Sequence, residues 1–281
     1  MRAMLGAALL CGATVVTADA QVWRTLEASR ARTDSAAVAI HVDYTRGQLR
    51  ARPLEAGSQL YDLHLRYDAL RAHPLVAFDS AARSLSIGAQ ARPDARSAAD
   101  GRNAGEAVLQ LGRAAPLDVT VRLDVATATL DLGGLAMRRL SVASSASEVR
   151  VGFDAPNTMV MEGLDLDVGA ATLTAVGLAN ANTSRLRVGA RAGAAELHLD
   201  GQWNRDAELD LDIALGSVTV YIPRDVGVQL EARKILAKVD AGGLGQSGDV
   251  YTSSNWGTAQ HKLRIRANAT LGKLRLVHDT R

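Results

Sequence analysis

A short alternating phrase recurs along the second half of this chain and limits what it can fold into more than any other feature. Leu140–Ala143 leads to Glu148–Val151, and Leu164–Val168 leads to Thr172–Thr174. Leu186–Gly189 leads to Glu196–Leu199, Leu211–Ala214 to Ser217–Val220, and Leu263–Arg266 to Lys273–Leu276. The first four units start 24, 22 and 25 residues apart. Repetition at that period predicts a solenoid, in which each unit buries its apolar face against its neighbours. The repeat is an architectural signal. It names no reaction.

Within the units every second residue is aliphatic, as in Leu209–Leu215. A period of two sends the aliphatics to one face of a strand and the charges to the other. A helix needs apolar residues at three- and four-residue spacing, and no long stretch has it. Gly57–Tyr67 comes nearest, and its second half also alternates. Gly, Asn, Asp and Pro fall between the runs, at Arg46–Gly47, Asp154–Asn157, Asp200–Gly201, Pro223–Gly227 and Gly242–Gly243. These read as turns, because Gly and Asn tolerate positive φ and Pro cannot donate to a ladder. With aromatics at only 4% of the chain, the core must be stacked aliphatic.

The chain opens with Met1–Arg2, an apolar run to Val16 and the small-x-small site Ala18–Ala20. This is the grammar of a signal peptide over residues 1–20, cleaved after Ala20, and it predicts an exported protein of the periplasm or extracellular space. The competing reading is lipoprotein processing at Cys11, where the preceding Leu10 is bulky and that processing wants a small residue. Cys11 is the only cysteine, so cleavage leaves no thiol for a disulfide, a metal site or a nucleophile. The net charge of +2 argues against nonspecific nucleic-acid binding, which needs a concentrated basic footprint.

Strands are expected at Ala36–Tyr44, Gly47–Arg52, Tyr61–Tyr67, Leu75–Asp79 and Ser84–Ala89. The stretch Ala89–Glu106 has no aliphatic period and reads as a solvated loop. The repeat array begins near Pro116. The division is therefore an N-terminal β region at residues 21–110 and a repetitive β-solenoid at 111–281. A boundary near residue 110 fits two modules or one continuous stack.

The ordered set of these pieces resembles the toast-rack family of bacterial envelope proteins, including its N-terminal β region. The residues that carry the likeness are Val38–Val42 with Gly47–Arg50, Leu63–Tyr67, His73–Val76 and Leu85–Ile87. In the array they are Pro116–Val119, Thr129–Leu135, Leu197–Gly201, Ile222–Val228, Gly248–Thr252 and Leu271–Leu276. Related domains close LiaF-type proteins, which restrain envelope-stress signalling, and the resemblance implies such a role. The chain departs from that type in having no transmembrane helices after its leader, and its Val168–Thr172 lacks the family's glycine-acid turn. The resemblance implies no catalytic residues.

Known catalytic motifs are absent from the sequence: there is no Gly-x-Ser-x-Gly, His-Glu-x-x-His or phosphate-binding glycine loop. None of the six histidines has a second histidine or a cysteine at ligand spacing. No catalytic, metal or cofactor residue is expected. His198, between Leu197 and Leu199, should point to solvent. Asp165, Asp167, Glu208, Asp210 and Asp212 would form an acidic strip if their strands stack as neighbours. Such a strip is a solvated face, a calcium site built from several hard oxygens, or the carboxylate pair of a carbohydrate-active enzyme, and the solvated face is the favoured reading. The glycine-rich Ala241–Asp249 reads as a turn.

Charge separates along the array. Residues 196–212 carry six acids against Arg205, and residues 261–281 carry six bases against Asp279. The basic end, with Lys262, Arg264, Arg266, Lys273 and Arg275, has two readings. One is protection of a terminal strand against edge pairing. The other is peripheral contact with an anionic envelope surface. Trp203 and Trp256 lie in turn-like segments and are expected to cap the ends of the core. The expectation overall is an all-β fold, an N-terminal β module followed by a stack of about 22-residue coils. Its role would be non-enzymatic binding or scaffolding toward an unidentified envelope component, with a self-assembling adhesin as a further alternative.

Overall fold

A computed structural model describes residues 21–92 and 105–278. The expected signal peptide, with Cys11, lies outside the described residues, as does the centre of the 89–106 segment.

The chain is all-β. Its first strands are β1 (Trp23–Ala31), β2 (Val38–Pro53), β3 (Gln59–Asp68), β4 (Ala72–Asp79), β5 (Ser84–Ala91) and β6 (Glu106–Leu111). The array begins with β7 (Leu117–Asp131), followed by the pairs β8 (Met137–Ser144) and β9 (Glu148–Gly152), then β10 (Gly163–Val168) and β11 (Thr172–Val176). Next come β12 (Arg185–Ala190) with β13 (Ala194–His198), and β14 (Ala207–Ile213) with β15 (Ser217–Ile222). The last strands are β16 (Gly227–Lys234), β17 (Lys238–Asp240), β18 (Gly245–Ser247), β19 (Val250–Thr252), β20 (Lys262–Ala269) and β21 (Lys273–His278). Gly57–Tyr67 is largely strand β3. The expected strands at 36–44 and 47–52 are one strand, β2, bent in its middle.

Successive coils stack in parallel to make two walls. The first wall runs from β5 through the first half of β2 and of β7, then β8, β10, β12 and β14. The second runs from β6 through the second halves of β2 and β7, then β9, β11, β13 and β15. The bend comes at Arg46–Gly47, facing Val125–Ala126 of β7. Gly47 has φ 119°, a region that L side chains rarely enter. Across the matching bend of β7 the buried parity flips, from Leu117, Val119, Val121 and Leu123 to Ala126, Ala128 and Leu130. Both halves therefore aim their aliphatics into one core.

That core is a set of columns. Leu140, Leu164, Leu186, Leu209, Ile265 and Leu230 line up across six rungs, each at most 3% exposed. Val149, Leu173, Ala195, Val218 and Leu274 do the same on the second wall. The register differs from the phrase alignment of the sequence: Leu186 faces Leu209, and Leu211 faces Val188. A shift of two residues leaves every side chain on its face, so the pattern alone cannot see it. β2 pairs with β7 from Val38 to Ala51, so the ladder is continuous across residue 110.

At the turn from first wall to second, one position is glycine in three coils for a steric reason. A Cβ on Gly193 would meet the Ala171 carbonyl at 2.0 Å, one on Gly216 the Gly193 carbonyl at 2.5 Å, and one on Gly272 the Gly216 carbonyl at 2.3 Å. A third side closes the coils through irregular segments, two of which are held by buried asparagines. Asn157 Nδ2 donates to the carbonyls of Met137 (2.8 Å), Met159 (2.9 Å) and Ala181 (3.2 Å), and its Oδ1 accepts from the Met137 N–H (2.8 Å). Asn180 Nδ2 donates to the Phe153 carbonyl, and its Oδ1 accepts from Gln202 N–H.

The end of the stack corrects the sequence reading. β20 lies between β14 and β16, and β21 lies between β15 and β17. The chain skips a rung after β15, lays down β16 and β17, turns back through the β18–β19 hairpin and inserts β20–β21 into the gap. The basic last strands are thus interior rungs, and edge protection is not their role. The edges are guarded in other ways: antiparallel β1 and β4 at one end, antiparallel β18–β19 and the three-residue β17 at the other. Trp203 is not at an end either. It packs on the core along the third side, and its Nε1 donates to the Leu199 carbonyl at 3.0 Å.

Candidate binding surface

Strand alternation sends the polar half of every rung outward, so the candidate surfaces are the walls themselves. On the first wall one outward row reads Asp165, Arg187, Asp210, Arg266 and Glu231 over five successive rungs. The sign of charge alternates at each step. Arg187 Nη1 lies 3.9 Å from Asp165 Oδ1, and Arg266 Nη1 lies 3.8 Å from Asp210 and 3.4 Å from Glu208. In the next row Asp167 and Asp212 flank Gly189, and Arg191 closes on Asp167. Opposite charges in cross-strand register each contribute a few tenths of a kcal/mol, and exposure holds them near that level.

This geometry breaks the expected acidic strip. β12 lies between β10 and β14, so arginine separates Asp165 from Asp210 and the backbone of Gly189 separates Asp167 from Asp212. Asp165, Asp167 and Asp212 border an open depression over Gly189 in which Arg187 and Arg191 stand beside them, and Arg191 is already paired with Asp167. Glycoside cleavage needs two carboxyls on either side of a bond.

The five basic residues of the C-terminal strands divide between the two walls. Lys262, Arg264 and Arg266 project from β20 on the first wall. Lys273 and Arg275 project from β21 on the second. Both walls share one core, so their outer faces point apart and the five do not make one patch. Several are already engaged. Lys262 Nζ and the Arg264 guanidinium lie 5.8 and 5.7 Å from the Trp256 ring, and Arg275 Nε lies 3.6 Å from Asp240. The backbone N–H of Lys262 donates to Asp206.

His198 points outward as expected and stacks on Tyr221 with ring centroids 4.3 Å apart. Among the described residues no group of three or more His, Cys, Asp or Glu could hold a metal ion. Four titrating groups of the described residues are displaced, among them Tyr61, raised by burial, and Arg138, raised by its bond to Asp118. Burial, with the nearby Glu106 charge, pushes the Tyr44 hydroxyl far above the ordinary phenol range. A backbone hydrogen bond from Ala36 and a side-chain bond from Arg83 hold the Asp34 carboxyl below its ordinary value. Asp34 lines a small pocket with Arg30, Arg32 and Arg83, where both of its carboxylate oxygens accept from the Arg83 guanidinium.

Sequence reasoning missed two surface features. The alternating ladder depends on which rungs are neighbours, and no local signal contains that. The exposed aliphatics Leu215, Ile235, Leu236 and Leu271 were visible as residues, but only stacking places them on one corner.

No family model matches the chain, and no curated protein matches it. Among solved structures the chain is similar to a candidate cell-adhesion protein from Clostridium sporogenes, at 14% identity and a TM-score of 0.46, covering 91% of this chain and 100% of that one. It is also similar to a candidate adhesin from Bacteroides fragilis, at 9% identity and a TM-score of 0.42, covering 92% and 98%. A candidate adhesin from Parabacteroides merdae has 12% identity and a TM-score of 0.36 over 92% and 94%. At these scores the likeness assigns neither a family nor a function.

Proposed function

We propose that this chain is an exported, non-enzymatic binding or scaffold protein of the bacterial cell envelope, built on a toast-rack plan. It works by display. A stiff stack of rungs presents charged walls and an apolar corner to a partner, and no bond is made or broken. A part in envelope-stress signalling is the finer form of this reading, and it rests on the family resemblance alone.

The observation that carries the proposal is the alternating row from Asp165 to Glu231. Its acids are interleaved with arginines on an open wall, so the residues best placed for chemistry are spent on holding rungs together. The interior beneath them is filled by aliphatic columns, which leaves the surface to carry function.

Fractionation of cells making the full chain tests the location. The mature protein should appear in the periplasmic or membrane fraction with Gln21 as its first residue. A cytoplasmic protein that retains residues 1–20 would overturn export. Polysaccharide turnover that disappears in Asp165→Asn or Asp210→Asn would overturn the non-enzymatic reading.

A further inference from the structure

The corner between the walls carries an apolar row that the charged walls do not explain. Leu215 N–H donates to the Arg191 carbonyl, Leu271 N–H to Ala214, and Leu236 N–H to Thr270. These bonds set Leu215, Leu271 and Leu236 on three adjacent rungs, about 4.8 Å apart. Ile235 stands beside them, its N–H bonded to the Ala269 carbonyl. Their exposures are 63%, 51%, 75% and 77%. On the three preceding rungs the equivalent positions are alanines, at Ala192, Ala170 and Ala146, and beyond them stands Val125. Four of the corner's five large exposed aliphatics are therefore gathered at the C-terminal end of the stack, with Val125 alone at the other.

Cations surround that end. Arg233 and Lys234 precede Ile235, and Lys238 follows Leu236. Lys238 faces Lys273 directly across the β17–β21 ladder, a like-charge pair that costs stability in the free protein. An anionic partner would relieve that cost. The nearby acids already have cations: Glu231 takes Arg233 at 3.1 Å and Asp240 takes Arg275 at 3.6 Å.

We infer that this corner docks the protein on the surface of a bilayer containing anionic phospholipid. An exposed aliphatic row flanked by Lys234, Lys238 and Lys273 fits an interface that accepts apolar side chains and attracts cations. The inference names a partner for the display reading above and shares its envelope location, but vesicle binding and cell fractionation can fail separately.

The test is co-sedimentation of the chain from residue 21 onward with vesicles of phosphatidylcholine alone or with about one-third phosphatidylglycerol, at low and high salt. Binding should require phosphatidylglycerol and weaken with salt. Ile235→Ser with Leu236→Ser should lower partitioning at least about tenfold, since two aliphatics lose their burial. Lys234→Gln with Lys238→Gln should lower it about fivefold per charge. Lys262→Gln with Arg264→Gln, on the first wall, should leave it unchanged. All these side chains are on the surface, and matched circular dichroism verifies folding. Absence of binding by the native chain overturns the inference. So does equal binding by the Ile235/Leu236 variant, or a native dimer that this variant converts to monomer.

Discussion

Asn157 offers the sharpest test of how the third side is held. The sequence marks it as a turn residue, useful for its tolerance of positive φ. The structure gives it a different job, because Asn157 is not among the positive-φ residues and is 4% exposed. Its amide satisfies the N–H and carbonyl of Met137 and reaches the carbonyls of Met159 and Ala181. Asn157→Ala strands at least the buried Met137 pair. An unsatisfied buried group costs about 1–3 kcal/mol, so a loss of about 3 kcal/mol is expected. Asn157→Asp keeps the shape but aims a carboxylate at three carbonyls. It should cost more than Ala at neutral pH and recover toward mildly acidic pH. The sign follows from the new carboxyl: carbonyl oxygens favour its protonated form, so its folded pKa rises, and the unfavourable charge disappears below that pKa. The assay is urea denaturation by circular dichroism at pH 7 and pH 4.5, with each variant compared to the native chain at the same pH. If Asn157→Ala costs less than about 0.5 kcal/mol, or if Asp and Ala behave alike at both pH values, the hydrogen-bonding account is wrong.

Gly216→Ala should destabilise by about 2 kcal/mol or more in the same assay, because its Cβ would sit 2.5 Å from the Gly193 carbonyl and backbone must move. Tyr44→Phe should be neutral or slightly stabilising at pH 7, since its buried hydroxyl has no hydrogen-bond partner. The Tyr44 pKa is raised in the fold, so native stability falls once pH exceeds the unfolded value of about 10. The thermal advantage of Tyr44→Phe should therefore widen above that pH. Arg187→Glu should place three acids in one row and cost about 1 kcal/mol at low salt, with most of the loss recovered at high salt. Removing residues 260–281 should unfold β16–β19 rather than shorten the stack by one coil, because β20–β21 is the parallel rung those strands rest on. Limited proteolysis that leaves 227–252 protected would refute the interior placement.

The alternation of aliphatic and polar residues by itself determined that this chain is all-β and stacked. It also determined which side chains face the core, as Leu186, Val188, Leu211 and Ile213 show at 0–3% exposure. A period of two is a local property, written in neighbouring residues, and burial enforces it. The same pattern led to register errors of two residues, an acidic strip that does not exist and a terminal strand that is interior. Each of those depends on which rung lies beside which. Parity survives a two-residue slip, and a strand buried on both edges reads like one at an edge. Only the tertiary structure decided that arginine rows interleave with acids, that β20 fills a skipped rung and that four scattered aliphatics meet on one corner. Rung order is fixed by long-range pairing, whose energy belongs to contacts between residues about 23 or more positions apart.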